Sequence, residues 1–309
     1  MIFVKTANSV SSAENGRAPI LVTANNRISS VNYVMRSRYV DILQEVTTSH
    51  LSVSLHSHDF YEILYCHNPA NVEYLVGAER YRLQKGDIVF IPPGVPHCPI
   101  LPEQIPEAYR RDVIRVSREY ITSMLSLDID QVSENTLGSF LLRTGGTRWE
   151  FLADLYQQSV AEAEEKRDGW ELVLMANTSK LLVYLYRAFT EHSITPMKAE
   201  KPELLDQVLE YIEQHLHEKI SLAEVAHHFY VSQSTITQTF RNKLGLSFYR
   251  CVTQARLISA KQLIEGDQSL EAIAEAVGFT DYSAFYRSFK QEFGISPRQY
   301  RVNHMQNSR

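Results

Sequence analysis

The chain has 309 residues, 44% hydrophobic and 22% charged, a composition ordinary for a water-soluble fold and a length that allows two cores. Its 31 Lys and Arg against 36 Asp and Glu give a formal net charge of −5, which argues against indiscriminate adhesion to nucleic acid but allows a local basic surface. No stretch approaches the roughly 18 apolar residues of a membrane span, and three cysteines (Cys66, Cys98, Cys251) without CxxC spacing exclude an all-paired disulfide framework and favour a reducing, cytoplasmic setting.

Residues 1–30 are rich in Ser, Asn and Ala without periodicity and predict a mobile arm. Its start, MIFVKTANSV, breaks its apolar run at Lys5 and lacks the core of a signal peptide. From about Tyr33 to Ile100 the pattern is strand-like, within a domain expected over 31–148. "VEYLVGAERYRL" holds two apolar-aromatic runs around Gly77-Ala78, a hairpin signal, and "KGDIVFIPPGVPH" reads as a turn, a buried strand and a proline-rich corner. Short strands punctuated in this way predict a small barrel or double-sheet jelly roll. In "HSHDFYE" the even spacing places His56, His58 and Glu62 on one strand face, a set that suits a divalent metal or the hydrogen-bonding of a sugar or organic acid.

Over 149–190 the period changes. Leu172, Met175, Leu182, Leu185 and Phe189 fall at helical spacing, which predicts connector helices that either cap the barrel or form a dimer. Residues 191–203 are polar, carry prolines and read as a linker.

The segment 204–303 repeats itself at an offset of 48–49 residues. Leu222 matches Leu270, Val225 matches Ile273, and Ala226 matches Ala274; after one inserted residue, Phe240 matches Phe289 and Gly245 matches Gly294. Each copy predicts a short helix, a turn and a second helix with an apolar pair four apart, Ile236/Phe240 and Phe285/Phe289, over about 221–243 and 269–293. Tyr249, Val252, Leu257, Ala260, Leu263 and Ile264 place one joining helix between the copies. From Ser232 onward ten Lys and Arg face six acids, whereas 201–231 has two bases against six acids.

"AIAEAVGFTDYSAFYRSFKQEFGISPRQYR" resembles the signature of the AraC/XylS transcription regulators almost throughout, including Gly278-Phe279, Phe293-Gly294 and Ser296-Pro297. The resemblance covers about a hundred residues, Leu204 to Arg301, and implies two recognition helices entering successive major-groove segments of double-stranded DNA. The residues it offers to DNA are Ser234, Thr235, Thr237, Gln238 and Arg241 in the first unit, and Tyr282, Ser283, Tyr286, Arg287 and Lys290 in the second. Gln238 stands where the first repeat of the family usually carries a basic residue.

The amino-terminal half resembles a cupin. His56, His58 and Glu62 fit its first motif, and Gly86, Pro92, Gly94 and His97 fit its second; His50, Pro69 and Leu101 depart from the pattern. The fold expected is therefore α+β: a cupin-like β domain, helices, and an all-α double helix-turn-helix domain. The function expected is a homodimeric, ligand-responsive transcription regulator with RNA polymerase as a further partner, no cofactor and no catalysis. Its effector would lie among His56, His58, Glu62 and His97, with no obligatory metal. Two alternatives stay open: a metal-dependent cupin enzyme or metal sensor fused to a DNA-binding domain, and a ligand-free architectural DNA-binding protein.

Overall fold

The computed structural model describes residues 20–23, 35–48, 55–125 except 78, 103 and 106, 141–190, and 202–307 except 265. Two sheets form the amino-terminal half. The larger has the order β1-β2-β8-β3-β6-β9, from β1 (Ile20–Thr23), β2 (Val40–Thr47), β8 (Tyr109–Ser117), β3 (Phe60–Asn68), β6 (Asp87–Ile91) and β9 (Leu141–Arg143). The smaller is β5-β4-β7, from β5 (Glu79–Arg82), β4 (Glu73–Val76) and β7 (His97–Ile100). The expected hairpin is β4–β5, turning at Gly77 with φ +59°. Within the stretch read as an arm, Ile20–Thr23 instead pairs in parallel with Gln44–Thr47; the rest of 1–30 lies outside the described residues, as does His50.

Both faces of β3 are buried, and the pleat explains why. Tyr61, Ile63 and Tyr65 pack with Trp149, Leu152, Tyr156, Leu181, Leu182 and Leu185, whereas Leu64 and Cys66 join Tyr74, Val76, Val89 and Val113 between the sheets. The first group is covered by α3 (Leu152–Glu165) and α4 (Trp170–Thr190), so these helices cap the barrel. Leu172 does not take part: it is 70% exposed, and Leu174 and Leu181 turn inward with Leu182, Leu185 and Phe189. Between β8 and β9 run a single helical turn, α1 (Arg118–Tyr120), and a π-helical turn, α2 (Ile121–Leu125).

The outer face of the smaller sheet is covered by the carboxy-terminal half. Leu75, Cys98 and Ile100, with Leu55, share one apolar cluster with Leu205, Val208, Leu209 and Ile212 of α5 (Leu204–Gln214). Beyond it come α6 (Leu222–His228), α7 (Gln233–Leu244), α8 (Phe248–Ile264), α9 (Leu270–Ala276), α10 (Tyr282–Phe293) and α11 (Pro297–Asn307). Of the stretch read as a linker, only residues 202 and 203 are described, and Glu203 caps α5.

The internal repeat is a structural one. Ser221 and Ser269 cap α6 and α9 through their hydroxyls, and Ser232 and Asp281 cap α7 and α10. Gly245 and Gly294 end the second helices at φ +63° and +74°, left-handed positions that suit glycine. Ile236, Phe240, Phe285 and Phe289 are all fully buried. The joining helix is α8, but Tyr249 departs from its apolar stripe: it is exposed, and its hydroxyl accepts from the Leu222 N–H at 3.2 Å.

Candidate effector site and nucleic-acid interface

The four residues read as an effector set converge inside the barrel. His56 precedes β3 and pairs with His97 of β7 through two backbone hydrogen bonds, 3.1 and 2.9 Å long. This bridge brings their rings to 4.2 Å between centroids, with the His58 ring 4.8 Å from His97. His58, Glu62 and His97 are buried, and His56 is partly so. Glu62 Oε2 lies 3.3 Å from His58 Nε2, and Glu62 Oε1 lies 3.9 Å from His97 Nε2. Phe60 stacks flat on His58 with 3.9 Å between centroids and fixes the ring plane.

Burial and charge oppose each other here. Burial pushes the Glu62 carboxyl up, but His58, His97 and Arg115 outweigh it and hold Glu62 well below the usual carboxylate range. Burial, helped by the charge of His58, lowers His97 to about 4, so its imidazole is neutral at neutral pH.

The barrel interior also contains groups that the sequence reading passed over. Arg115 stands directly opposite Glu62 in the ladder, its Nε 3.8 Å from Glu62 Oε2, and reaches towards Glu45 at 3.8 Å. Arg111, four residues earlier on the same face, pairs with Glu45 and donates to Thr47 Oγ1 at 3.1 Å. Arg111 and Arg115, four apart in "RRDVIRV" and so on one strand face, are the signal that would have revealed this. Together they make a polar chain, Glu45–Arg111/Arg115–Glu62–His58/His97, able to orient an anionic or hydroxyl-rich ligand. The cysteines offer little redox chemistry: all three are buried free thiols, and burial raises Cys66 and Cys251 to about 12 and Cys98 still higher.

On the second helices, Ser234, Thr235, Thr237, Gln238 and Arg241 are exposed, as are Ser283, Arg287 and Lys290, whereas Tyr282 and Tyr286 are half-buried. Not all of these are equally available. The Ser234 and Thr235 hydroxyls lie 2.7 and 2.8 Å from the capping Ser232 hydroxyl, and Thr237 donates to the Gln233 carbonyl at 2.9 Å. Gln238 and Arg241 therefore dominate the face of α7, and Arg287 and Lys290 that of α10.

The structure narrows the basic surface suggested by the bare count. Arg256 donates to the Leu216 and Glu218 carbonyls at 3.0 and 2.6 Å, and Arg301 to those of Ile264 and Gln268 at 3.1 and 2.7 Å. Arg250 pairs with Glu292, Lys243 lies 3.6 Å from Glu203, and Lys261 sits over the Phe293 ring at 4.9 Å. Arg241, Arg287, Lys290 and Arg298 remain on the surface without an ion pair among the described residues.

Comparison with known proteins adds to this geometry. A family model described as an AraC-like ligand binding domain matches residues 42–182, and one described as a helix-turn-helix domain matches 225–303. The chain is 25% identical over 250 residues to the HTH-type transcriptional activator RhaS of Escherichia fergusonii, covering 80% of this chain and 86% of that one. It is 33% identical over 145 residues to "Probable transcriptional regulator LumQ" of Photobacterium leiognathi, covering 46% of this chain and 57% of LumQ. Among solved structures, the C-terminal domain of AraT, a response regulator from Geobacillus stearothermophilus, is 28% identical, with a TM-score of 0.33 over 34% of this chain and 88% of that one.

Proposed function

Because the chain belongs to the AraC family of transcription regulators, with a ligand-binding domain ahead of a helix-turn-helix domain, we propose that it couples a small molecule in the barrel to the DNA affinity of α7 and α10. The effector, a sugar or an organic acid, lies against His56, His58, Glu62 and His97 and is bound, not chemically changed.

One observation carries this reading. Adjacent residues on each side of the His56–His97 bridge face opposite ways: His56 and His97 sit in the polar interior, whereas their neighbours Leu55 and Cys98 pack in the cluster with α5 and the first helix-turn-helix unit. A shift of the His56–His97 bridge therefore moves the surface on which the DNA-binding half rests. An effector biases the equilibrium only as far as it prefers one of the two arrangements.

On the DNA side, α7 and α10 enter successive major-groove segments. Gln238 is suited to adenine, and Arg287 to guanine or phosphate. Arg241, Lys290, Ser234, Thr235, Thr237, Ser283, Tyr282 and Tyr286 complete the contact surface. The regulator works as a cytoplasmic homodimer through the exposed side of α3 and α4, which carries Leu172, and contacts RNA polymerase. Its units are the barrel (31–148), the connector helices (149–190), a linker (191–203) and the DNA-binding domain (204–303).

The test is a DNA-binding titration against a panel of sugars and organic acids, on a site found by in vitro selection. At least one compound should shift the affinity several-fold, and His58→Ala should weaken that shift while preserving DNA binding in the compound's absence. A panel-wide failure, or a response untouched by His58→Ala, would contradict the reading.

A further inference from the structure

The two helices that follow the recognition helices start at matching places. Ser247 Oγ accepts from the Arg250 N–H and Ser296 Oγ from the Gln299 N–H, each at 3.2 Å, so α8 and α11 are capped in the same way. The repeat offset of 49 then sets Phe248 against Pro297, both buried, and Tyr249 against Arg298, both exposed. Each start abuts the first helix of its own unit. Tyr249 Oη accepts from the N–H of Leu222, the first residue of α6, at 3.2 Å. Arg301, one turn after Arg298 on α11, donates through Nη2 to the carbonyl of Gln268 at 2.7 Å, beside the Ser269 cap of α9. Residues three apart on a helix share a face, so Arg298 lies on that same side of α11.

Arg298 also stands near a recognition helix. Burial, then Glu271 and Tyr286, raise the Tyr282 phenol at the start of α10, and the charges of Arg298 and Arg301 oppose them. Both side chains have capacity to spare. The Tyr249 hydroxyl spends a lone pair on Leu222 and keeps its own proton for another acceptor. Arg298 is a permanent cation with no ion pair among the described residues. In a helix-turn-helix unit the second helix lies in the major groove and the first crosses the phosphate backbone. Side chains beside the starts of α6 and α9 therefore meet phosphates, not bases.

We propose that Tyr249 and Arg298 are matched backbone contacts of the two units, each holding one phosphate at the flank of the groove segment that its unit reads. The first contact is a neutral hydroxyl donating to a phosphate oxygen, and the second is a charge-assisted guanidinium pair. This asymmetry follows that of the recognition helices, where Gln238 stands opposite Arg287 in the repeat. The first unit then presents one unpaired cation, Arg241, and the second presents three, Arg287, Lys290 and Arg298. The second unit supplies most of the salt-dependent hold, and the first is positioned mainly by hydrogen bonds. This rests on α7 and α10 lying in successive major-groove segments.

The experiment titrates the full chain on the selected DNA site at several salt concentrations and maps the phosphates by ethylation interference. Arg298→Ala should weaken binding about 10-fold and reduce the slope of log affinity against log salt by about 0.9. Arg298→Lys should keep that slope. Tyr249→Phe retains the ring and should also weaken binding about 10-fold, with the slope unchanged. Both losses should be the same on the selected site and on its single-base variants, because a phosphate carries no sequence. One ethylated phosphate that hinders the wild type should become neutral in each variant, at a different position for the two. Lys85→Ala, at an exposed lysine ahead of β6, should match the wild type in affinity and slope. Circular dichroism of every variant should match the wild type, and Tyr249→Phe and Arg298→Lys are mild enough to guard against a folding artefact. Wild-type affinity in Tyr249→Phe or in Arg298→Ala would overturn the proposal, as would a loss that leaves the ethylation pattern unchanged. Gln238→Ala and Arg287→Ala run alongside. If these two also bind like the wild type, the reading of α7 and α10 in the groove falls. If they weaken binding while Tyr249→Phe and Arg298→Ala do not, only the backbone assignment falls.

Discussion

Arg80 donates through Nε to Asp206 Oδ2 at 3.2 Å, across 126 residues of sequence, joining the smaller sheet to the first helix of the DNA-binding half. Its Nη1 reaches Glu73 Oε2 at 2.7 Å and Glu203 Oε1 at 3.0 Å, and the side chain is 3% exposed. A buried guanidinium shared among three carboxylates is costly to remove: Glu73 and Glu203 keep Arg82 and Lys243, but the buried Asp206 stays behind without a cation. Arg80→Met should therefore destabilise the chain by about 3–5 kcal/mol, read from urea midpoints. Arg80→Lys keeps the charge but loses the fork, and should cost less. If the seam transmits the signal, Arg80→Lys should also blunt the effector response more than it lowers basal DNA affinity.

Gly278 and Gly294 both adopt positive φ, +85° and +74°, but differ in their surroundings. A Cβ on Gly278 would lie 2.1 Å from the Leu216 carbonyl oxygen, whereas one on Gly294 would meet nothing within 4 Å. Gly294→Ala should cost only the left-handed penalty of about 1–2 kcal/mol. Gly278→Ala adds a backbone clash and displaces the Arg256 staple on Leu216 and Glu218, so its cost should exceed about 4 kcal/mol, in the range of exceptional single substitutions. Thermal unfolding of the two variants side by side checks the order.

Asp87 is fully buried at the start of β6 and accepts from Arg143 Nε and Nη2, each at 3.0 Å, and from the Gln84 N–H at 2.7 Å. Burial still wins, and its carboxyl sits above the ordinary range. With the folded value above the unfolded one, the stability this group contributes is full in acid and is lost as pH rises through the raised value. Removing Arg143 leaves burial less opposed and raises that value further. Arg143→Ala should then cost more at neutral pH, about 3 kcal/mol, than in acid below the raised value, where Asp87 is protonated. Equal losses at both pH values in urea unfolding would contradict this.

How much of this was legible in the sequence depended on the range of the interaction. The doubled unit could be read because Val225/Ile273 and Ala226/Ala274 recur at a fixed offset and all four are buried. The histidine set could be read as a cluster from its even spacing, but not as one strand face: only Glu62 lies in β3, and His56 and His58 precede it, His56 in an isolated bridge to His97. Arg111 and Arg115 also share a strand face, but only pairing with β2 and β3 shows that this face is interior. The Arg80–Asp206 link could not be read, since nothing local says that β5 will meet α5. The apparent basic excess misled for the same reason: Arg256 and Arg301 bind carbonyls 33 to 40 residues away.

Gln238 and Arg287 occupy matching places on α7 and α10, two residues after Ile236 and Phe285, and both are exposed. A phosphate-bound arginine releases counterions, so Arg287→Ala should reduce the slope of log affinity against log salt by about 0.9. Gln238→Ala should leave that slope unchanged and cost roughly 1–3 kcal/mol at one base position, relaxing the preference there. Arg256→Ala, despite removing the same charge as Arg287→Ala, should lower stability and leave the salt slope close to wild type. Titrations at several salt concentrations, on the selected site and its single-base variants, separate the three.

In the proposed function, one chain reads DNA through two helices held at a fixed spacing by α8. Footprinting of the full-length protein on its selected site tests this most directly. Two protected major-groove segments per chain, about 10 base pairs apart centre to centre, are expected, with a half-turn insertion between them abolishing tight binding. A single protected segment per chain, indifferent to that insertion, would contradict it.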